Sequence, residues 1–179
     1  LPTAIKNESE QKVYDNFLSE EKFKSFIPSS NKQFSRLLTI QEGCDKFCSF
    51  CVVPYTRGSE FSRSVEDVFA EASLMVNNGA KEITLLGQNV SSYTSKVLGR
   101  GEDKKVSLGS LCEILSKIAG LKRIRYLTSH PNDIDESLIF QHQNNLKMMP
   151  FLHLPVQSGS DEILKKMNRK HTREFYINL

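Results

Sequence analysis

No run of apolar residues in this 179-residue chain approaches the roughly 18 that a membrane-spanning helix requires, and no charged-then-apolar leader stands at its start. No membrane partner is expected, and a cytoplasmic chain is the simplest reading. A strong charge excess is missing too: 24 Lys and Arg against 21 Asp and Glu leave +3, too small an imbalance to identify a nucleic-acid partner. Cysteine is scarce, with four residues in all, which argues against a small disulfide scaffold. With 39% hydrophobic and 25% charged residues, disorder is not the default, and the length suits one well-buried domain.

What the chain does have is Cys44-x-x-x-Cys48-x-x-Cys51, directly after the apolar run Leu37-Leu38-Thr39-Ile40. Thiolates clustered this tightly at the end of an expected strand are suited to holding a metal in a reducing compartment. A structural zinc site closes with four protein ligands, and no fourth Cys or His is adjacent. The site therefore reads as open. A cubane iron–sulfur cluster with one iron left for a small molecule satisfies that pattern. Zinc would require a distant residue such as His130 or His153 to fold back as the fourth ligand.

Residues 1–36 are polar, with a turn at Pro28-Ser29-Ser30-Asn31 and one short amphipathic helix expected around Val13, Phe17 and Leu18. From Leu37 onward, apolar runs alternate with helical periodicity, the pattern of strand–helix units on a parallel sheet. Four units are expected. Strands fall at about Leu38–Gln41, Ile83–Leu86, Ile124–Leu127 and Phe151–Val156. The first helix carries Val65, Val68, Phe69, Ala72, Met75 and Val76, opened by Ser64 with Asp67 and closed by Asn78-Gly79. A loop through Gly99-Arg100-Gly101 leads to a second helix with Leu108, Leu111, Cys112, Leu115 and Ile118, ended by Gly120. Asp133 with Glu136 is expected to cap the third, whose buried face would be Ile134, Leu138 and Ile139. The last begins near Asp161. Ligands of parallel α/β folds bind at the carboxyl ends of the strands, so the loops after each strand are the expected site.

Cys44-x-x-x-Cys48-x-Phe50-Cys51 is also the signature of the radical S-adenosylmethionine (SAM) enzymes, and the chain resembles that family. The resemblance implies a partial parallel (β/α) barrel of about six units, here truncated to about four. It implies a 4Fe-4S cluster held by Cys44, Cys48 and Cys51, with SAM chelated at the remaining iron and Phe50 near its adenine. Glu42 through Gly58, Leu85-Leu86-Gly87-Gln88-Asn89-Val90, Thr128-Ser129-His130-Pro131 and His153-Leu154-Pro155-Val156-Gln157-Ser158-Gly159-Ser160 resemble the methylthiotransferases, as do Lys165-Lys166-Met167-Asn168-Arg169 and Thr172-Arg173-Glu174. Within that family the likeness is to enzymes that add a methylthio group to N6-dimethylallyladenosine beside the tRNA anticodon. A sister enzyme that modifies a ribosomal protein is the near variant, and a non-catalytic metal-stabilised module the distant one. The implied partners are a tRNA anticodon stem-loop and a reducing electron donor.

By the same resemblance Gly87, Gln88 and Asn89 sit where SAM's amino group is held, and Ser129 and Gln157 are candidates for its ribose or carboxylate. Each has a plainer reading as a loop turn, a strand terminator or a helix cap. Arg57 and Arg63 flank the cysteine loop and are candidate phosphate contacts. The run Lys165, Lys166, Arg169, Lys170, Arg173 reads first as solvated helix surface. Cys112, on an apolar helix face, reads as core packing. Residues 1–36 are expected to be a linker from a missing N-terminal domain, and 37–179 a C-terminally incomplete radical SAM core. Complete methylthiotransferases carry three more cysteines for an auxiliary cluster that supplies sulfur, whereas only Cys112 remains here. The chain alone is therefore expected not to complete sulfur insertion. Ser91 stands where these enzymes commonly have Asn.

Overall fold

The structure is a computed structural model that describes residues 33–96 and 105–179. The elements are β1 (Ser35–Thr39), β2 (Gln41–Glu42), α1 (Val53–Arg57), β3 (Phe61–Ser62), α2 (Val65–Asn77), β4 (Glu82–Leu86), β5 (Thr94–Lys96), β6 (Lys105–Ser107), α3 (Leu108–Ser116), β7 (Arg123–Tyr126), α4 (Glu136–Asn144), α5 (Asp161–Lys166) and α6 (Arg173–Asn178). The expected helix around Phe17 and the loop at Gly99-Arg100-Gly101 lie outside the described residues.

β4 is central to a parallel sheet of order β1-β4-β7, and its Ile83, Thr84 and Leu85 are all buried, as a strand hydrogen-bonded on both edges requires. Register places Leu38, Leu85 and Tyr126 in one row, with Ile83 beside Ile124 in the next, and these side chains form the sheet's share of the core. The opposite face carries Leu37, Thr84, Arg125 and Glu82, with Arg125 Nε 3.3 Å from the Glu82 carboxylate. One face of the sheet is thus apolar and covered, and the other is largely polar. Short antiparallel pairs, β2 with β3 and β5 with β6, stand apart from this sheet.

α2 forms where its sequence signals place it. The Ser64 hydroxyl accepts from Asp67 N–H at 3.1 Å, and Glu66 and Asp67 favour the positive helix start. At the far end Gly79 N–H donates to Val76 O and Ala80 N–H to Met75 O, each at 3.0 Å, the paired bonds of a Schellman motif with Gly79 at φ 102°. Val65, Val68, Ala72, Met75 and Val76 turn inward against β1 and α3. α3 buries Leu108, Leu111, Cys112 and Leu115, and burial pushes the Cys112 thiol up to about 12. Cys112 is a packing residue.

Three expectations fail for local reasons. Asp135, not Asp133, caps α4, because its carboxylate accepts from Leu138 N–H at 2.8 Å while Asp133 lies in the preceding 3-10 turn (Pro131–Asp133) and faces elsewhere. The buried face of α4 is Leu138 with Gln141, and Ile134 packs from outside the helix. The fourth strand, Phe151–Val156, does not form. Ile124 N–H donates to Lys147 O at 2.7 Å and Met149 N–H to Ile124 O at 3.0 Å, beginning a parallel ladder beside β7. Phe151 N–H, the next donor on the side facing β7, turns back to Met149 O at 2.8 Å instead of continuing it, and the chain leaves the sheet. The sheet therefore has three strands, and α5 follows an irregular segment.

α3 packs closely on α4 at Gly109, where a Cβ would overlap the Ser137 side chain and the backbone of Leu138. We predict that Gly109→Ala lowers stability by about 1–3 kcal/mol through overpacking, read as a reduced denaturation midpoint with unchanged denaturant dependence. His142 accepts or donates at Nε2 with the Tyr126 hydroxyl at 2.7 Å, and burial holds its pKa below the ordinary value. His130 is held down to about 4 by burial, with Arg169 adding to the effect. Both rings favour the neutral form in the fold and are protonated more readily in the unfolded chain, so they contribute stability above about pH 6.5 that is lost as pH falls, down to about 4 for His130. Thermal melts at pH 7, 6 and 5 should show a falling midpoint, and the double variant H130N/H142Q should flatten that slope. An equal slope in the variant refutes the assignment.

Candidate functional site

The site lies at the carboxyl ends of the strands, where the loops after β1, β4 and β7 meet. A cleft of about 180 Å³ is lined by Cys44, Cys48, Cys51 and Phe50 from the first loop, Gln88 and Asn89 from the second, and Ser129 from the third. Gln157, from the irregular segment before α5, completes the same wall. Eight of the residues singled out in the sequence are thus brought to one cavity.

A residue that sequence reasoning passed over joins the loops. Gln41, wholly buried, accepts at Oε1 from Gln88 N–H at 3.0 Å and Asn89 N–H at 3.2 Å, and donates from Nε2 to Gly43 O at 3.1 Å. Gly43 N–H in turn donates to Gln88 Oε1 at 2.7 Å. Gly87 does not line the cleft. It lets this amide approach, since a Cβ there would lie 2.5 Å from Gln41 Oε1. Gly43, at φ 73°, combines a left-handed backbone with contact to the Gly58–Ser59 carbonyls that leaves no room for a side chain. Gln41 could be recognised only as a polar residue closing an apolar run, which many strand ends share.

The second and third loops are joined by a polar chain. Asn89 Nδ2 donates to Asp133 Oδ2 at 2.7 Å, and Lys46 Nζ reaches the other carboxylate oxygen at 2.6 Å. Ser91 donates to Asn89 Oδ1 at 2.9 Å and accepts from His130 N–H at 3.0 Å, so the hydroxyl at this position orients Asn89. Thr128, at φ 66°, donates from its hydroxyl to Gly87 O at 2.6 Å. Backbone strain gathers here: Phe47, Thr128, Gln157, Asn168 and Lys170 are the non-glycine residues with positive φ among the described residues.

The two arginines part company. Arg57 is exposed at the end of α1. Arg63 is only 7% exposed, its Nη1 2.8 Å from Thr39 O and 2.7 Å from Glu71 Oε2. It is a buried ion-pair partner beneath β1 and is not presented to a phosphate. The apolar surroundings of β1 and α2 that bury it were not legible from its place beside the cysteine loop. The basic run also divides, because Lys165, Lys166 and Arg173 are exposed whereas Arg169 is 5% exposed, with Nη1 3.5 Å from Cys48 Sγ.

Burial pushes the Cys44 thiol above its ordinary value, opposed by the Lys46 backbone N–H and reinforced by Glu60, Cys48 and Cys51. Among the described residues no three His, Cys, Asp or Glu side chains are arranged to hold a single metal ion. A cluster asks something different, since each thiolate then binds its own iron. Ser129 and Arg169 line this cleft, and each carries a buried polar atom, Oγ and Nε, with no hydrogen-bond partner, as the wall of a polar ligand's site can. The donor set and the orphaned atoms both fit an iron–sulfur cluster with a polar small molecule beside it.

Comparison with known proteins agrees with this geometry. A curated relative from Neorickettsia sennetsu, tRNA-2-methylthio-N(6)-dimethylallyladenosine synthase, is 54% identical over 98% of this chain and 36% of its own length. Its namesakes from Ehrlichia chaffeensis and Rickettsia prowazekii are 54% and 50% identical, over 84% and 100% of this chain and 33% and 40% of theirs. The chain spans between a third and two-fifths of the length of these relatives. Among solved structures, the cobalamin-dependent S-adenosylmethionine radical enzyme OxsB with aqua-cobalamin and S-adenosylmethionine bound superimposes with TM-score 0.59 at 20% identity, covering 79% of this chain and 21% of OxsB. That likeness extends to the fold. Residues 38–179, which contain every strand-end loop of the cleft, match the Radical SAM superfamily, and the chain belongs to that superfamily.

Proposed function

We propose that this chain is the cofactor-binding part of an enzyme that adds a methylthio group to N6-dimethylallyladenosine beside the anticodon of tRNA. The observation that carries the reading is the convergence of Cys44, Cys48 and Cys51 on one cleft with the polar ends of β4 and β7. The substrate is inferred from the activity named for relatives at 50–54% identity. A cytoplasmic site of action and a low-potential electron donor accompany that substrate and chemistry. Among the described residues no helix is long and apolar enough to cross a membrane.

Cys44, Cys48 and Cys51 would hold the 4Fe-4S cluster, and Gln88, Asn89, Ser129, Gln157 and Phe50 would surround SAM. Bound together, these groups supply one-electron chemistry able to attack an unactivated C–H bond. The chain's own contribution is placement. Gln41 fixes the cysteine loop against Gln88 and Asn89, so the two halves of the cleft keep their spacing. Phe50, half exposed on the cleft wall, offers a ring face to a planar base. Ser129 has a hydroxyl free to bond a ribose or carboxylate oxygen. Arg57, exposed at the end of α1, is the candidate contact for a tRNA phosphate. Sulfur delivery has no machinery in these residues, because the remaining cysteine, Cys112, is buried in the core.

Anaerobic reconstitution should load about four iron and four acid-labile sulfide per chain, and the triple variant C44A/C48A/C51A should bind neither. Stoichiometric zinc without sulfide would sink the enzyme reading in favour of a metal-stabilised module. For the substrate, nucleoside analysis of tRNA from cells lacking the full-length gene should show loss of the methylthio mark. Unchanged tRNA would redirect the reading to the ribosomal-protein enzyme.

A further inference from the structure

Arg169 is the strongest buried feature that the proposed chemistry leaves unused. It lies 121 residues from Cys48, yet Nη1 is 3.5 Å from the Cys48 sulfur, within N–H···S range. Nη2 donates to Pro155 O at 3.0 Å, and Nε is buried with no partner. No carboxylate among the described residues pairs with this guanidinium. A buried cation without an anion is costly, and the sulfurs of the triplet are the groups on hand that become anionic when they bind metal.

The backbone around Arg169 is built to hold it there. Ser49 N–H donates to Met167 O at 3.1 Å and Ser49 Oγ to Lys166 O at 2.8 Å, while Asn168 Nδ2 donates to Phe47 O at 2.8 Å. Asn132 Nδ2 fastens the far side through Lys170 O at 2.9 Å. Asn168 and Lys170, the residues on either side of Arg169, adopt φ of 54° and 56°. A loop that only displayed charge to solvent would need neither these fastenings nor that strain.

We propose that Arg169 is a positioning residue that makes the cluster easier to reduce, by donating a hydrogen bond to the Cys48 sulfur. This rests on the reading that the triplet holds a 4Fe-4S cluster. Reduction adds one electron, supplied by a low-potential one-electron donor, to a centre already ringed by thiolates. A fixed N–H donor and a buried positive charge favour the more negative state, and hydrogen bonds to sulfur are among the determinants of cluster potential. Arg169 keeps its proton throughout, as a guanidinium does.

The test is a mediated redox titration of the anaerobically reconstituted chain, followed by electron paramagnetic resonance, on wild type, R169K and R169M. The expected result is a more negative midpoint in R169M, with a roughly tenfold lower ratio of reduced to oxidised cluster at a fixed potential, or about 59 mV for one electron, and a smaller shift in R169K. An unchanged or more positive midpoint in R169M overturns the proposal. Loss of the cluster from both variants overturns it too, because a tuning contact is not needed for assembly. A wild-type chain that takes up no iron and sulfide fails the underlying reading and the proposal together, whereas a loaded wild type with an unshifted variant fails Arg169 alone.

Discussion

The amide of Gln41 is the contact on which the site depends. A side-chain amide buried without partners would destabilise the fold, and this one is satisfied only when the loop after β1 and the loop after β4 stand at one separation. Two backbone N–H groups at the end of β4 and one carbonyl of the cysteine loop are consumed in a single planar group. Gly87 and Gly43 are glycines because that group, and the Gly58–Ser59 backbone, leave no space for a Cβ. The sheet supplies the frame, with β1 and β4 in register from Ser35 to Thr39, but the amide sets the loop spacing.

Around that clamp the structure arranges charge in layers. Lys46, Asp133 and Asn89 form a connected polar chain on one side of the cleft, with Ser91 and the His130 backbone behind it. Arg169 closes the other side, carried by a loop fastened to both the cysteine loop and Asn132. Arg63 lies outside this arrangement and braces α2 to β1 through Glu71 and Thr39 O. Residues of one charge thus have three fates, with Arg57 exposed at the surface, Arg63 in the packing and Arg169 at the thiols.

Much of this was legible in the residues. The cysteine spacing, the strand-end positions of Gln88, Asn89 and Ser129, and the Ser64 and Gly79 signals of α2 are local properties, and the fold uses them where the chain places them. The exceptions have local causes too. Phe151–Val156 has the composition of a strand, yet the Phe151 N–H that would carry the ladder past Met149 turns back to Met149 O. Asp133 has the spacing of a cap, but its carboxylate is held by Lys46 and Asn89.

The sequence by itself determined that three thiols would stand at the end of a strand in an α/β chain, because cysteine spacing and hydrophobic period do not depend on what the rest of the chain does. Only the tertiary structure decided which polar residues face those thiols. Arg169 and Arg63 are chemically the same residue, and burial against different partners sends one to Cys48 and the other to Glu71. Gln41 likewise has no sequence mark. Its role arises from partners 47 and 48 residues away, which parallel pairing of β1 with β4 brings within hydrogen-bond reach.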